Sequence, residues 1–139
     1  MNINTIFATV LAVCVLSACQ SPAYKPIEYR APVTRIEARS ALVEQFTAYG
    51  YRVSNDTDFT LTLEQQQTAG EAILVNRQYS YQFTITGDNP TTILPRIIMS
   101  QGRMPRVVTV DVTDRAEVRS KIESQMHPVI SRLGGQKVM

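Results

Sequence analysis

The chain has 139 residues, of which 44% are hydrophobic and 19% charged, a balance that suggests one globular domain and excludes a disordered one. Its net charge of +2 supplies no broad cationic field for nucleic acid. Both cysteines, Cys14 and Cys19, fall in the first twenty residues, so nothing downstream can form a disulfide or a thiolate zinc site.

Residues 3–18 read INTIFATVLAVCVLSA, an uncharged apolar run shorter than the about 20 residues of a membrane-spanning helix. The run ends in Ser17 and Ala18, small residues like those before the cleavage site of a secretory signal. Leu16-Ser17-Ala18-Cys19 follows directly and resembles the lipobox of bacterial lipoproteins. The resemblance implies a signal peptide over 1–18, diacylation of the Cys19 thiol, and acylation of the amino group freed by cleavage. The first residues, MNIN, carry no Lys or Arg, which leaves the amino terminus as the only cation ahead of the run. Several acyl chains, at about 0.8 kcal/mol per buried methylene, would make the attachment effectively permanent. Gln20, rather than Asp, after the cysteine implies the outer membrane, with the protein facing the periplasm. Cysteine usage fits this compartment, because removal of Cys14 and acylation of Cys19 leave no thiol to oxidise.

Gln20 to Pro32 contains three prolines and shows no periodicity, so residues 19–32 read as an acylated cysteine followed by an extended tether. The domain proper is expected over 33–139. Thr34 and Glu37 form a capping-box pair. Ile36, Leu42, Val43, Phe46 and Tyr49 share a broad helical face, and Gly50 stands where a left-handed residue ends a helix. This predicts a helix over about 35–49.

Strands follow. DFTLTLEQ alternates Phe59, Leu61 and Leu63 against polar residues. In AILVNRQYSYQFTITG, Ile73, Val75, Tyr79, Tyr81, Phe83 and Ile85 share one parity, with Arg77 interrupting it at a rim. TAGE and Gly87–Pro90 are turn signals. TTILPRIIM reads as an edge or bent strand because of Pro95. RVVTVDV places Val108, Val110 and Val112 on one side of a last strand. A second helix is then predicted, with Asp114 and Glu117 as an acidic capping box. Its stripe is Val118, Ile122, Met126, Val129 or Ile130, and Leu133, with Gly134-Gly135 as its stop. Pro128 is expected to kink or split it. The order helix, three or four strands, helix predicts an α+β two-layer sandwich. In it an antiparallel sheet of three to four strands carries both helices on one face.

No catalytic constellation is legible. His127 is the single histidine and sits beside a proline in a helical stripe. Asp56 with Asp58, and Asp111 with Asp114, read as turn and cap residues rather than as an acid–base pair. No glycine loop for phosphate and no metal-ligand spacing is present, so no cofactor is implied and the chain is expected not to be an enzyme. The single charge feature is Arg96, Arg103 and Arg106 in PRIIMSQGRMPR, within a stretch that has no acid between Asp88 and Asp111. These arginines are candidates for contact with an anionic lipid or a partner.

LVEQFTAYGYRVSNDTDFTLTLEQ, Leu42 to Gln65, reads as a helix ending in Gly, a short strand, then an Asp-hydrophobic-x-Leu strand. This run is similar to one in the LPS-assembly lipoprotein family, the plug of the outer-membrane lipopolysaccharide translocon, which shares the order helix, strands, helix after a lipobox. That family places a strand ahead of its first helix, where this chain has its proline-rich stretch. Accessory subunits of ABC transporters, pilotins and secretion-system components share the same sandwich, so the resemblance implies an envelope role without naming a partner.

The expectation is an outer-membrane lipoprotein, held by its lipid anchor, whose periplasmic domain is a non-catalytic accessory or assembly factor of a larger envelope complex. It would have a protein partner and bind no nucleic acid. Two alternatives are binding of lipid or lipopolysaccharide through Arg96, Arg103 and Arg106, and inhibition of a periplasmic hydrolase through the loop SQGRMP.

Overall fold

The computed structural model describes residues 25–67, 77–103 and 105–139. In chain order the elements are β1 (Glu28–Ala31), α1 (Arg35–Ala48), β2 (Tyr51–Asp56), β3 (Thr60–Gln65), β4 (Arg77–Gly87), β5 (Thr91–Arg103), β6 (Arg106–Asp111), α2 (Ala116–Arg132) and β7 (Gln136–Val138). Among the described residues all pairings are antiparallel, in one seven-stranded sheet of order β2-β3-β4-β5-β1-β7, with β6 also on β5. The expected sheet of three to four strands, in the order helix, strands, helix, is thus corrected to a larger sheet with strands before the first helix and after the last.

The added strands are short or weakly patterned. β1 lies within the stretch read as a tether. Pro26 and Pro32 flank it, yet Ile27, Tyr29 and Ala31 alternate inward and are almost fully buried. β7 has three residues and buries none fully. In β2 only Tyr51 is buried, so period two leaves almost no trace. Residues 68–76, which include Ile73, Val75 and the TAGE turn, lie outside the described residues, as does Cys19.

Pro95 does not make β5 an edge strand. β5 is a central strand with β4 on one side and both β1 and β6 on the other. The Ile97 N–H donates to Thr113 Oγ1 at 2.9 Å, and the Ile97 carbonyl accepts from the Val112 N–H at 3.0 Å. The polar groups of Ile97 therefore face away from β4, and by the strand's period of two so does Pro95. β1 pairs β5 only as far as Ile93, and β6 begins pairing at Ile98. The missing proline N–H falls in the gap between two end-to-end partners, where no strand asks for it.

Thr113 closes the same gap. Both Thr113 and Ile97 are buried, so Thr113→Val is expected to orphan the Ile97 N–H at a cost of about 1–3 kcal/mol. A urea denaturation midpoint equal to the parent's would show that water already reaches the gap.

The helices follow local rules in part. Thr34 and Glu37 form the capping box: Glu37 N–H donates to Thr34 Oγ1 at 3.2 Å, and Thr34 N–H donates to Glu37 Oε2 at 2.8 Å. These hydrogen bonds, the backbone one first, hold the Glu37 carboxyl below its ordinary range. Asp88, in the β4–β5 turn, adds a second cap by accepting from the Arg35 N–H at 2.9 Å. α1 buries Ala38, Ala41, Leu42 and Phe46. Ile36, expected inside, is 78% exposed, because the inward face of the helix is the one that carries Ala38, Ala41, Leu42 and Phe46. α2 starts one residue later than the acidic capping box implies. Arg115 occupies the cap position, and no side chain caps the helix there.

Pro128 neither splits nor ends α2. Its missing bond would go to the carbonyl of Ser124, and both residues are exposed, so water can serve that carbonyl. Ile122, Met126, Val129 and Ile130 stay buried on both sides of the proline. The helix ends as the Gly134-Gly135 pair predicts: Gly134 has φ +68°, and the Gly135 N–H donates to the Ile130 carbonyl at 2.9 Å.

Tyr81 shows where the layers meet. Its ring centroid is 4.7 Å from that of Phe46 in α1, and its hydroxyl donates to Gln125 Oε1 in α2. One side chain points to one face of a sheet, so both helices cover the same face. The core there comprises Leu61, Leu63, Tyr81, Phe83, Ile85 and Ile93, all fully buried, against the apolar stripes of the two helices. The other face presents half-buried polar side chains, among them Thr62, Gln82 and Thr84.

Candidate interaction surface

The helices cover only part of the sheet. β5 and β6 run beyond them as a hairpin, paired from Ile98↔Asp111 to Arg103↔Arg106. α2 departs beside Ile97 and runs back toward β7 and β1, away from the hairpin tip. The valine parity read in the sequence is present, but its environment is not the expected one. Val112 is buried, whereas Val108 is 62% exposed and Val110 41% exposed. Val107, on the opposite face, is also exposed. Among the described residues β6 pairs only with β5, and the polar groups of its far edge have no strand beside them. Below the hairpin a groove of about 430 Å³ runs between Tyr79, Ile97, Val118 and Lys121.

The three arginines singled out in the sequence separate in space. Arg103 and Arg106 lie opposite each other at the tip. Arg77, across from Gln101, sits at the same end of the sheet. All three are exposed, and the ion pairs of the described residues involve other cations. Arg96 belongs to a different structure. Its Nε donates to Asp111 Oδ2 at 2.8 Å, at the base of the hairpin. Burial pushes the Asp111 carboxyl up, but hydrogen bonds from the Thr113 hydroxyl and N–H, together with Arg96, outweigh it and leave the net shift downward. Arg96 thus holds β6 onto β5, and Arg77 replaces it in the cationic cluster. Sequence reading treated Arg77 as an interruption of a strand. The signal that could have found its role is that it breaks an otherwise apolar parity where the strand leaves the core.

SQGRMP forms the end of the hairpin, and Met104 lies outside the described residues. Gly102 has φ +122°, and a Cβ placed there would come within 2.2 Å of the Arg106 carbonyl oxygen.

The other sites hold no linked chemistry. Asp56 pairs with Arg39 Nη1 at 2.7 Å, and the Asp58 carbonyl accepts from Arg39 Nη2 at 2.9 Å, so this pair of acids organises the β2–β3 turn. Asp114 is exposed and caps nothing. His127 borders a groove of about 340 Å³ with Tyr29, Glu123 and Ser131. Glu123, His127 and Ser131 recur at helical spacing, but Glu123 is taken by Lys137 Nζ at 2.5 Å. Tyr29 is pushed up to about 12, by burial first and Glu123 second, which keeps its hydroxyl protonated. Among the described residues no group of three or more His, Cys, Asp or Glu could hold a metal ion. No helix of the described residues is long and apolar enough to cross a membrane.

Compared with family models, curated proteins and solved structures, the chain matches none of them.

Proposed function

We propose that this chain is an outer-membrane lipoprotein, anchored through Cys19, whose periplasmic domain serves as a non-catalytic accessory or assembly factor of a larger envelope complex. The observation that carries this reading is Leu16-Ser17-Ala18-Cys19 at the end of an uncharged apolar run, followed by Gln20. Two structural features support a role in contact rather than chemistry. Among the described residues nothing covers the polar outer face of the sheet, and β2 and β6 each keep one edge free for strand addition. A further point of agreement is β1, which precedes α1 as a strand does in the family that Leu42–Gln65 resembles.

The test is mass spectrometry of the protein from its native host, with fractionation of the parent and the Cys19→Ser variant. The expected result is a chain that begins at an acylated Cys19 and co-sediments with outer membrane. Cys19→Ser should leave the chain uncleaved and outside the outer-membrane fraction. An intact, unmodified N-terminus would end the lipoprotein reading. Failure of an acylated protein to retain any partner after mild detergent extraction and cross-linking would end the accessory role.

A further inference from the structure

The described chain begins at Lys25, and its direction there is informative. β1 runs antiparallel to β5 with Tyr29 opposite Ile93, so the chain traced back toward Lys25 moves toward the level of Ile97. The Lys25 carbonyl accepts from Arg119 Nη1 at 3.0 Å, near the start of α2, which places it at that same end. Lys25 therefore lies at the end of the domain toward which the β5–β6 hairpin projects.

The lengths agree. Six residue steps separate Cys19 from Lys25, and a fully extended chain of that length spans at most about 20 Å. From the level of Ile97 to Arg103 the hairpin advances six more residues, or about 20 Å at the rise of an antiparallel strand. An anchor at Cys19 would hold the Lys25 end of the domain no farther from the bilayer than the hairpin can reach.

What the hairpin carries suits that surface. Arg77, Arg103 and Arg106 are exposed around its end, with no acidic residue between Asp88 and Asp111 to oppose them. Val107, Val108 and Val110 are exposed beside them on both faces. Arginine forks pair with phosphodiester groups, while short β-branched side chains can enter the boundary between headgroups and acyl chains. Among the described residues neither feature is engaged inside the domain: the arginines form no ion pair, and both helices end their cover below the hairpin.

We infer that the β5–β6 hairpin is a second membrane contact: its valines enter the leaflet to which Cys19 is anchored, and Arg77, Arg103 and Arg106 bind the headgroups of anionic phospholipids. This rests on the acylation of Cys19 proposed above. Two contacts fix the domain's orientation, where a lipid anchor alone would let it turn, and they leave the β2 edge and the outer sheet face clear of the bilayer.

The test uses the acylated full chain, extracted from its host and reconstituted into vesicles with or without phosphatidylglycerol. With Cys14 removed and Cys19 acylated, Val108→Cys supplies a single thiol for an environment-sensitive fluorophore. Asp58→Cys, in the β2–β3 turn at the far end of the sheet, is the control. The expected result is a blue-shifted Val108 label quenched by brominated lipid in anionic vesicles, less so in high salt, and an unaffected Asp58 label. Combining Arg77→Ser, Arg103→Ser and Arg106→Ser should reduce the odds of lipid contact by at least tenfold, since each arginine near an anionic surface contributes a factor of about five.

A Val108 label that stays aqueous on a protein whose acylation is verified would overturn the inference while leaving the lipoprotein reading intact. So would quenching that needs lipopolysaccharide, or shielding that appears only with a partner protein, which would mean strand addition at β6. Conversely, an unacylated chain whose Val108 label still enters anionic vesicles would keep the hairpin contact and remove the anchor.

Discussion

Phe46→Ala is expected to lower the domain's thermal midpoint by about 10–25 °C. Phe46 is fully buried at the meeting point of α1 and the sheet. Four rings surround it, those of Tyr49, Tyr51, Tyr81 and Phe83, with centroid distances from 4.7 to 5.7 Å and edge-to-face geometry. Truncating such a residue costs about 3–5 kcal/mol, from lost transfer energy and from the cavity left behind. For a domain of this size each kcal/mol shifts the midpoint by roughly 3–6 °C, between the values for smaller and larger domains. A stability of about 5–15 kcal/mol would be reduced by a fifth or more. Phe46→Leu keeps most of the volume and loses the ring contacts, so it should cost about 1–1.5 kcal/mol. Calorimetry on both variants checks the ordering. A fall below about 5 °C for the alanine variant would mean that the aromatic cluster collapses around the vacancy and does not organise the core.

Gly102→Ala should act in a different place. The added methyl would sit 2.2 Å from a backbone oxygen, at a φ of +122° that L-residues rarely adopt. The turn cannot relieve this contact by moving a flexible side chain, so the register Gly102↔Val107 has to open. Because the described residues of the distal hairpin include no buried one beyond Met99, the loss is expected to stay local. Amide exchange in Val107–Val110 should accelerate by at least tenfold, while the thermal midpoint moves by only a few degrees. A midpoint loss as large as that of Phe46→Ala would place the hairpin inside the cooperative core. In vesicles the same variant should weaken the lipid contact of the Val108 label without altering any charge.

The structure also shows why the charge cluster was only partly legible. Arg103 and Arg106 stand together because the turn between β5 and β6 puts them opposite each other. Arg96 is seven residues from Arg103 and looks like part of the same run, yet it points to the outer face and is consumed by Asp111. Arg77 comes from the preceding strand and joins through the pairing of Arg77 with Gln101. Sequence proximity could include the first of these and could not supply the last.

What the amino-acid sequence determines by itself here is local. The Thr34–Glu37 capping box, the glycine stops after both helices, the inward parity of Leu61, Leu63, Tyr81, Phe83 and Ile85, and the stripe of α2 all follow from periods of 2.0 and 3.6 and from the chemistry of helix ends. The tertiary structure decided the rest: that β1, β2 and β7 complete a seven-stranded sheet, that Pro95 falls where two strands meet end to end, and that Val108 and Val110 remain uncovered. The physical reason is that periodicity reports which side chains share a face of an element. Whether another element lies over that face depends on how far the helices extend along the sheet, which no window of the chain contains.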